Sequence, residues 1–139
     1  MVKIGHKIRQ TFHIFRSKIE KNEGIQNSVL TRTEYMALFY VLFEKKPLCM
    51  KDIQEHFKIN RSTSSELLTS LETKGCVEKI PDEHDSRIKY IKVTSLGKCE
   101  VKKLVKEFDF IESEITKSLS EEEVQTLSNL LEKIIENNK

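Results

Sequence analysis

Only Lys58-Ile59-Asn60 separates two segments of helical periodicity, and so short a connection constrains how the two helices pack. The first segment, about Met50–Phe57, sets Ile53 and Phe57 inward and Lys51, Asp52 and Glu55 outward. The second, Arg61–Lys74, is capped by Asn60, aligns Leu67, Leu68 and Leu71 with Ser64 on their line, and stops at Gly75. This pair reads as a helix-turn-helix. Directly after it, Cys76–Ile80 and Ile88–Val93 read as two short strands around the polar run Pro81-Asp82-Glu83-His84-Asp85-Ser86-Arg87. A hairpin with an exposed tip is the expectation there.

The flanks are helical and unusually apolar on one side. Ile4, Ile8, Phe12, Phe15 and Ile19 recur at helical spacing, with Glu23-Gly24 read as the end of that helix. Thr31 and Glu34 form a capping box ahead of Tyr35–Phe43, which is apolar on nearly every side and so predicts a buried central helix. Lys45-Lys46-Pro47 stops it. Thr94 caps a long helix with the stripe Leu104, Phe108, Ile111 and Ile115. Ser120 caps the last one, whose stripe is Val124, Leu127, Leu131 and Ile134. With 37% apolar residues, four glycines and two prolines in 139 residues, one helical core is expected over 1–139.

Several function classes drop out. No apolar run approaches the roughly 18 residues of a membrane span, and the N-terminus lacks a secretion signal. Three scattered cysteines fit a reducing compartment, so the expected place is the cytoplasm. Cys49, Cys76 and Cys99 lie 27 and 23 residues apart without CxxC, HxxxH or HExxH, so neither a metal nor another cofactor is expected. No nucleophile elbow, phosphate-cradling glycine loop or paired Cys/His signature suggests an enzyme. The charge is unevenly spread: +3 over residues 1–44, +5 over 45–106 and −6 over 107–139. A basic middle suits a polyanion partner, although a plain solvated surface would look the same.

The ordered motifs narrow this further. Pro47-Leu48-Cys49-Met50-Lys51-Asp52-Ile53, then Asn60-Arg61-Ser62-Thr63 with Leu67, Leu71-Glu72 and Lys74-Gly75, precede Val77-Glu78-Lys79, the 81–87 run and Val93-Thr94-Ser95-Leu96-Gly97. This series resembles the MarR family of winged-helix transcriptional regulators. The resemblance implies a mainly α fold with a small β-hairpin wing. Its winged helix-turn-helix would cover 30–98, flanked by dimerisation helices at 1–28 and 100–139. It also implies a homodimeric repressor on double-stranded DNA at an inverted repeat, released by a small ligand or by oxidation.

Under that resemblance the dimer seam is Ile4, Ile8, Phe12 and Phe15 with Leu127, Leu131 and Ile134. The DNA set is Arg61, Ser62, Thr63, Ser65, Glu66 and Thr69 on the second helix, and His84, Asp85, Arg87 and Lys89 at the wing. Short hydroxyls let a helix approach DNA closely, and Glu66 can accept from a cytosine amino group. Arg87 is suited to a narrow minor groove, with Asp85 holding its pose. Cys49, near a helix N-terminus, is the one thiol suited to sensing oxidants, against the ordinary reading of a small packed cysteine. The acidic Glu66 also leaves open a winged-helix module that binds protein instead of DNA.

Overall fold

The computed structural model describes residues 1–139. It runs α1 (Ile4–Lys21), α2 (Glu23–Gln26), α3 (Arg32–Phe43), β1 (Leu48–Cys49), α4 (Met50–Phe57), α5 (Arg61–Thr73), β2 (Val77–Pro81), β3 (Lys89–Val93), α6 (Ser95–Thr116) and α7 (Glu121–Asn137). Two compact units result, residues 27–105 and residues 1–26 with 106–139.

In the 27–105 unit, α3 starts on the expected box: Thr31 Oγ1 accepts from the Glu34 N–H, and Glu34 Oε1 accepts from the Thr31 N–H, both at 3.2 Å. Ala37 and Leu38 are buried, but Met36, Phe39 and Phe43 are exposed, which corrects the expectation of a helix buried all round. The reason is that only the Ala37/Leu38 side is buried in the core. Tyr35, Phe39 and Phe43 instead form a ladder along the helix, with ring centroids 5.9 and 4.5 Å apart at each step. Leu38, Leu48, Ile53, Leu68, Leu71, Cys76 and Val101 are the largest apolar side chains wholly buried.

The sheet has three strands, not the two expected, in the order β1-β3-β2 and antiparallel throughout. Leu48 and Cys49 pair with Ile91 and Tyr90, while Val77 through Pro81 pair with Val93 through Lys89. A two-residue strand has no alternation to read, so β1 was invisible as a pattern. Pro81 sits where strands tolerate it, at the end of the outer strand β2.

Lys58 closes α4 in the left-handed region, at φ 53° and ψ 46°, and turns the chain into α5. A side chain in that conformation costs roughly 1 kcal/mol, which glycine avoids. Lys58→Gly is therefore expected to stabilise the fold by about 0.5 kcal/mol after its own entropic cost, read as a higher urea midpoint at unchanged slope. At the other end of α5, Gly75 has φ 74°. Its N–H and that of Cys76 satisfy the carbonyls of Glu72 and Leu71, a Schellman stop.

In the other unit, Asn22 and not Glu23-Gly24 ends α1. Its N–H bonds Ile19, and its side chain accepts from the Ile25 N–H at 2.9 Å, so Glu23 and Gly24 open the short α2. A helix-to-helix break and a final stop both use Asn and Gly, which is why the Glu23-Gly24 expectation falls one residue past the true end. Asn22 Nδ2 also donates to Glu107 on α6 at 2.9 Å. Ser120 and Glu123 complete a capping box that starts α7. Neither α1 nor α7 buries a single residue in the lone chain.

Candidate nucleic-acid interface

Helix α5 is polar on one side because its other side is spent on the core. Ser64, Leu67, Leu68 and Leu71 are buried, and Ser64 Oγ is satisfied by donating to the Arg61 carbonyl at 2.9 Å. By helical period, Arg61, Ser62, Thr63, Ser65, Glu66 and Thr69 then point outward, and all six are exposed. Asn60 caps the helix by accepting from the Thr63 N–H at 2.8 Å. No acidic residue lies in the first turn, so the positive end of the helix dipole is uncompensated. Exposed amide dipoles, small hydroxyls and Arg61 together suit an approaching phosphate. Glu66, one turn on, is the acidic exception.

The wing tip is organised by two aspartates. Asp82 accepts from the N–H groups of His84 and Asp85 at 3.0 and 3.1 Å, which folds the tip over itself. Asp85 then accepts from the Arg87 N–H and Nε, each at 3.0 Å, and from Nη2 at 3.1 Å. Arg87 hydrogen-bonding holds the Asp85 carboxyl below the usual carboxylate range, and the same contact raises the guanidinium. With its side chain 89% exposed, Arg87 gains little stability from this fork. What it gains is a defined direction. His84 and Lys89 are exposed beside it.

Sequence reasoning missed three further parts. Asp82 organises the tip, and its hydrogen bond and charge hold the Tyr90 phenol above its ordinary range. Lys79 on β2 reaches Glu72 on α5 at 3.9 Å, tying wing to helix. Lys74, at the end of α5, donates to the buried Glu34 at 2.8 Å. The first had a readable signal, an aspartate at the start of a tight polar turn. The other two had none: Lys79 and Glu72 meet only once strand β2 folds back beside α5, and Lys74 and Glu34 join residues far apart in sequence.

The dimerisation set lies wholly in the other unit, where Ile4, Ile8, Phe12, Leu127, Leu131 and Ile134 are exposed and Phe15 is half-buried. Cys49 is the α4 N-cap; its N–H and thiol both donate to Asp52, at 2.8 and 3.3 Å. Those two bonds, with Lys46 and Lys51 nearby, hold Asp52 below its ordinary value against the opposing effect of burial. No three metal-ligating side chains converge, and no helix is long and apolar enough to cross a membrane.

Comparison with known proteins gives this geometry a context. A family model described as the MarR family matches residues 30–88. The HTH-type transcriptional regulator YwaE of Bacillus subtilis is 29% identical over 136 residues, covering 98% of this chain and 78% of its own. A second Bacillus subtilis regulator of that type, YybA, is 29% identical over 108 residues, covering 78% of this chain and 71% of its own. Among solved structures, the S. aureus MepR–DNA complex superposes with a TM-score of 0.73 at 26% identity, covering 99% of each chain. These relatives are transcriptional regulators, not enzymes. In its matched residues, its winged-helix fold and its relatives, this chain is similar to the MarR family.

Proposed function

We propose that this chain is a sequence-specific DNA-binding transcriptional repressor that acts as a homodimer. One observation carries the reading. The polar face of α5, with its uncompensated N-terminus, and the fork-held Arg87 are displayed by a single compact unit. Helix α5 enters the major groove, where Ser62, Ser65, Glu66 and Thr69 meet base edges and Arg61 and Thr63 meet backbone. Arg87 reads the narrow, strongly negative minor groove next to it, and His84 and Lys89 add phosphate contact. The structure of MepR with DNA supports the assignment by analogy of fold. Helices α1 and α7, apolar and uncovered, supply the dimer seam that sets the spacing of the two recognition helices. A small effector would act by favouring one such spacing over another.

Arg87 and Glu66 should part company when changed. Arg87→Ala is expected to weaken binding to every duplex by about ten-fold, with extra loss at A/T-rich flanks. Glu66→Gln removes a charge that repels phosphate everywhere and an acceptor that only some bases satisfy. It should tighten nonspecific binding and lower the ratio of specific to nonspecific affinity. Titrating both variants on selected and scrambled duplexes at several salt concentrations checks this. If Glu66→Gln leaves both affinities unchanged, that face of α5 does not meet DNA, and the protein-binding module becomes the better reading.

A further inference from the structure

Glu34 is 3% exposed, and a carboxylate that buried persists only with partners. It has four. Oε1 accepts from Lys74 Nζ at 2.8 Å and from the Thr31 N–H at 3.2 Å, Oε2 accepts from Ser70 Oγ at 3.3 Å, and the Glu34 N–H returns a bond to Thr31 Oγ1. Lys74 Nζ also donates to the Val29 carbonyl at 2.7 Å. Burial pushes the Glu34 carboxyl up, but the bonds from Lys74 and Thr31 and the Lys74 charge outweigh it, leaving it below the ordinary value. The charged form is thus the one this network is built around.

The placement of the partners matters more than their number. Ser70 and Lys74 belong to the last turn of α5 and its C-cap, while Glu34 opens α3 and Val29 precedes it. Apolar packing by Leu67, Leu68 and Leu71 resists separation of α5 from the core, but greasy contacts permit sliding and rolling. A charge-assisted bond with fixed donors and acceptors does not. Ser70 and Lys74 are four residues apart, so both bonds act on one edge of α5 and oppose rotation about its axis.

Building on the DNA-binding reading, we propose that Glu34 and Lys74 are positioning residues: a buried clamp that sets the rotation and tilt of the recognition helix without touching DNA. The N-terminal turn that meets the groove lies at the opposite end of α5 from the clamp. A small rotation at Lys74 is therefore carried rigidly to Ser62, Ser65 and Glu66. Loss of the clamp should then erode discrimination between sequences more than affinity for DNA in general.

The test uses the full chain as Lys74→Met, which keeps the stem and loses the donor, and Lys74→Arg, which can still donate to both Glu34 and Val29. Two readouts are taken where circular dichroism shows each protein fully folded. One is amide hydrogen exchange. The other is affinity for duplexes that the wild type selects from a random library, against scrambled ones. Lys74→Met is expected to speed exchange in α5 about ten-fold while β3 is unchanged, and to cut the preference for selected duplexes about ten-fold. Its binding to scrambled duplexes should stay within about two-fold, and Lys74→Arg should restore most of the loss. Unchanged exchange overturns the clamp, as does equal acceleration in β3, which marks a general loss of stability. Preserved discrimination in Lys74→Met also overturns it. A wild type that prefers no duplex overturns the DNA-binding reading instead, and the exchange readout then decides the clamp alone.

Discussion

Phe12→Asp is expected to leave the chain monomeric or aggregated. Phe12 is 50% exposed in the lone chain and Leu131 is 42% exposed, values far from those of ordinary core residues. They lie on the apolar stripes of α1 and α7, two helices that bury nothing. In the proposed two-fold seam each residue occurs twice, so one substitution inserts two carboxylates into desolvated contact. Two losses of about 2 kcal/mol each weaken the dimer roughly 1,000-fold. Leu131→Asp should do the same. Light scattering across a dilution series reads the outcome, and a variant that stays dimeric with unchanged stability removes Phe12 from the interface.

Gly97→Ala should cost the fold more than a methyl group at any other glycine. A Cβ at Gly97 would overlap the Cys76 carbonyl oxygen and Val93 Cγ1. That carbonyl is fixed, because it accepts from the Thr94 N–H at 3.0 Å. Thr94 Oγ1 in turn donates to the Gly75 carbonyl at 2.6 Å and accepts from the Gly97 N–H at 3.1 Å. The first turn of α6 is thereby pinned against the junction of α5 and β2, with no flexible side chain to yield. Overpacking against backbone costs about 2–3 kcal/mol, or a fall in Tm of roughly 5–10 °C. Gly75→Ala offers a contrast: the nearest side chain leaves ordinary room, so its penalty comes from the positive φ alone and should be about 1 kcal/mol.

The helices were legible wherever local chemistry chose them. The capping boxes at Thr31 and Ser120, the Asn60 cap and the glycine stop at Gly75 each use a side chain and a backbone group a few residues apart. The wing and the outward face of α5 were legible for the same reason, since helical period and turn residues are local. What failed was context. The apolar block of α3 suggested burial on all sides, yet the sequence has no way of saying which side the core reaches. Strand β1 is defined by its partner β3, forty residues on, and not by its own two residues. The Glu34–Lys74 pair was hidden in the same way: Glu34 was read as half of a capping box, and its second task needs a lysine from another helix.

Selection of bound duplexes from a random library tests the central claim most directly. The chain is expected to enrich an inverted repeat whose half-sites lie about 10 base pairs apart, centre to centre, because two recognition helices related by a two-fold axis must reach one face of the duplex. Affinity for the enriched sequence should fall steeply and log-linearly with salt. Enrichment of a single unrepeated site would contradict the dimeric arrangement, and recovery of no preferred sequence at any salt concentration would contradict DNA recognition itself.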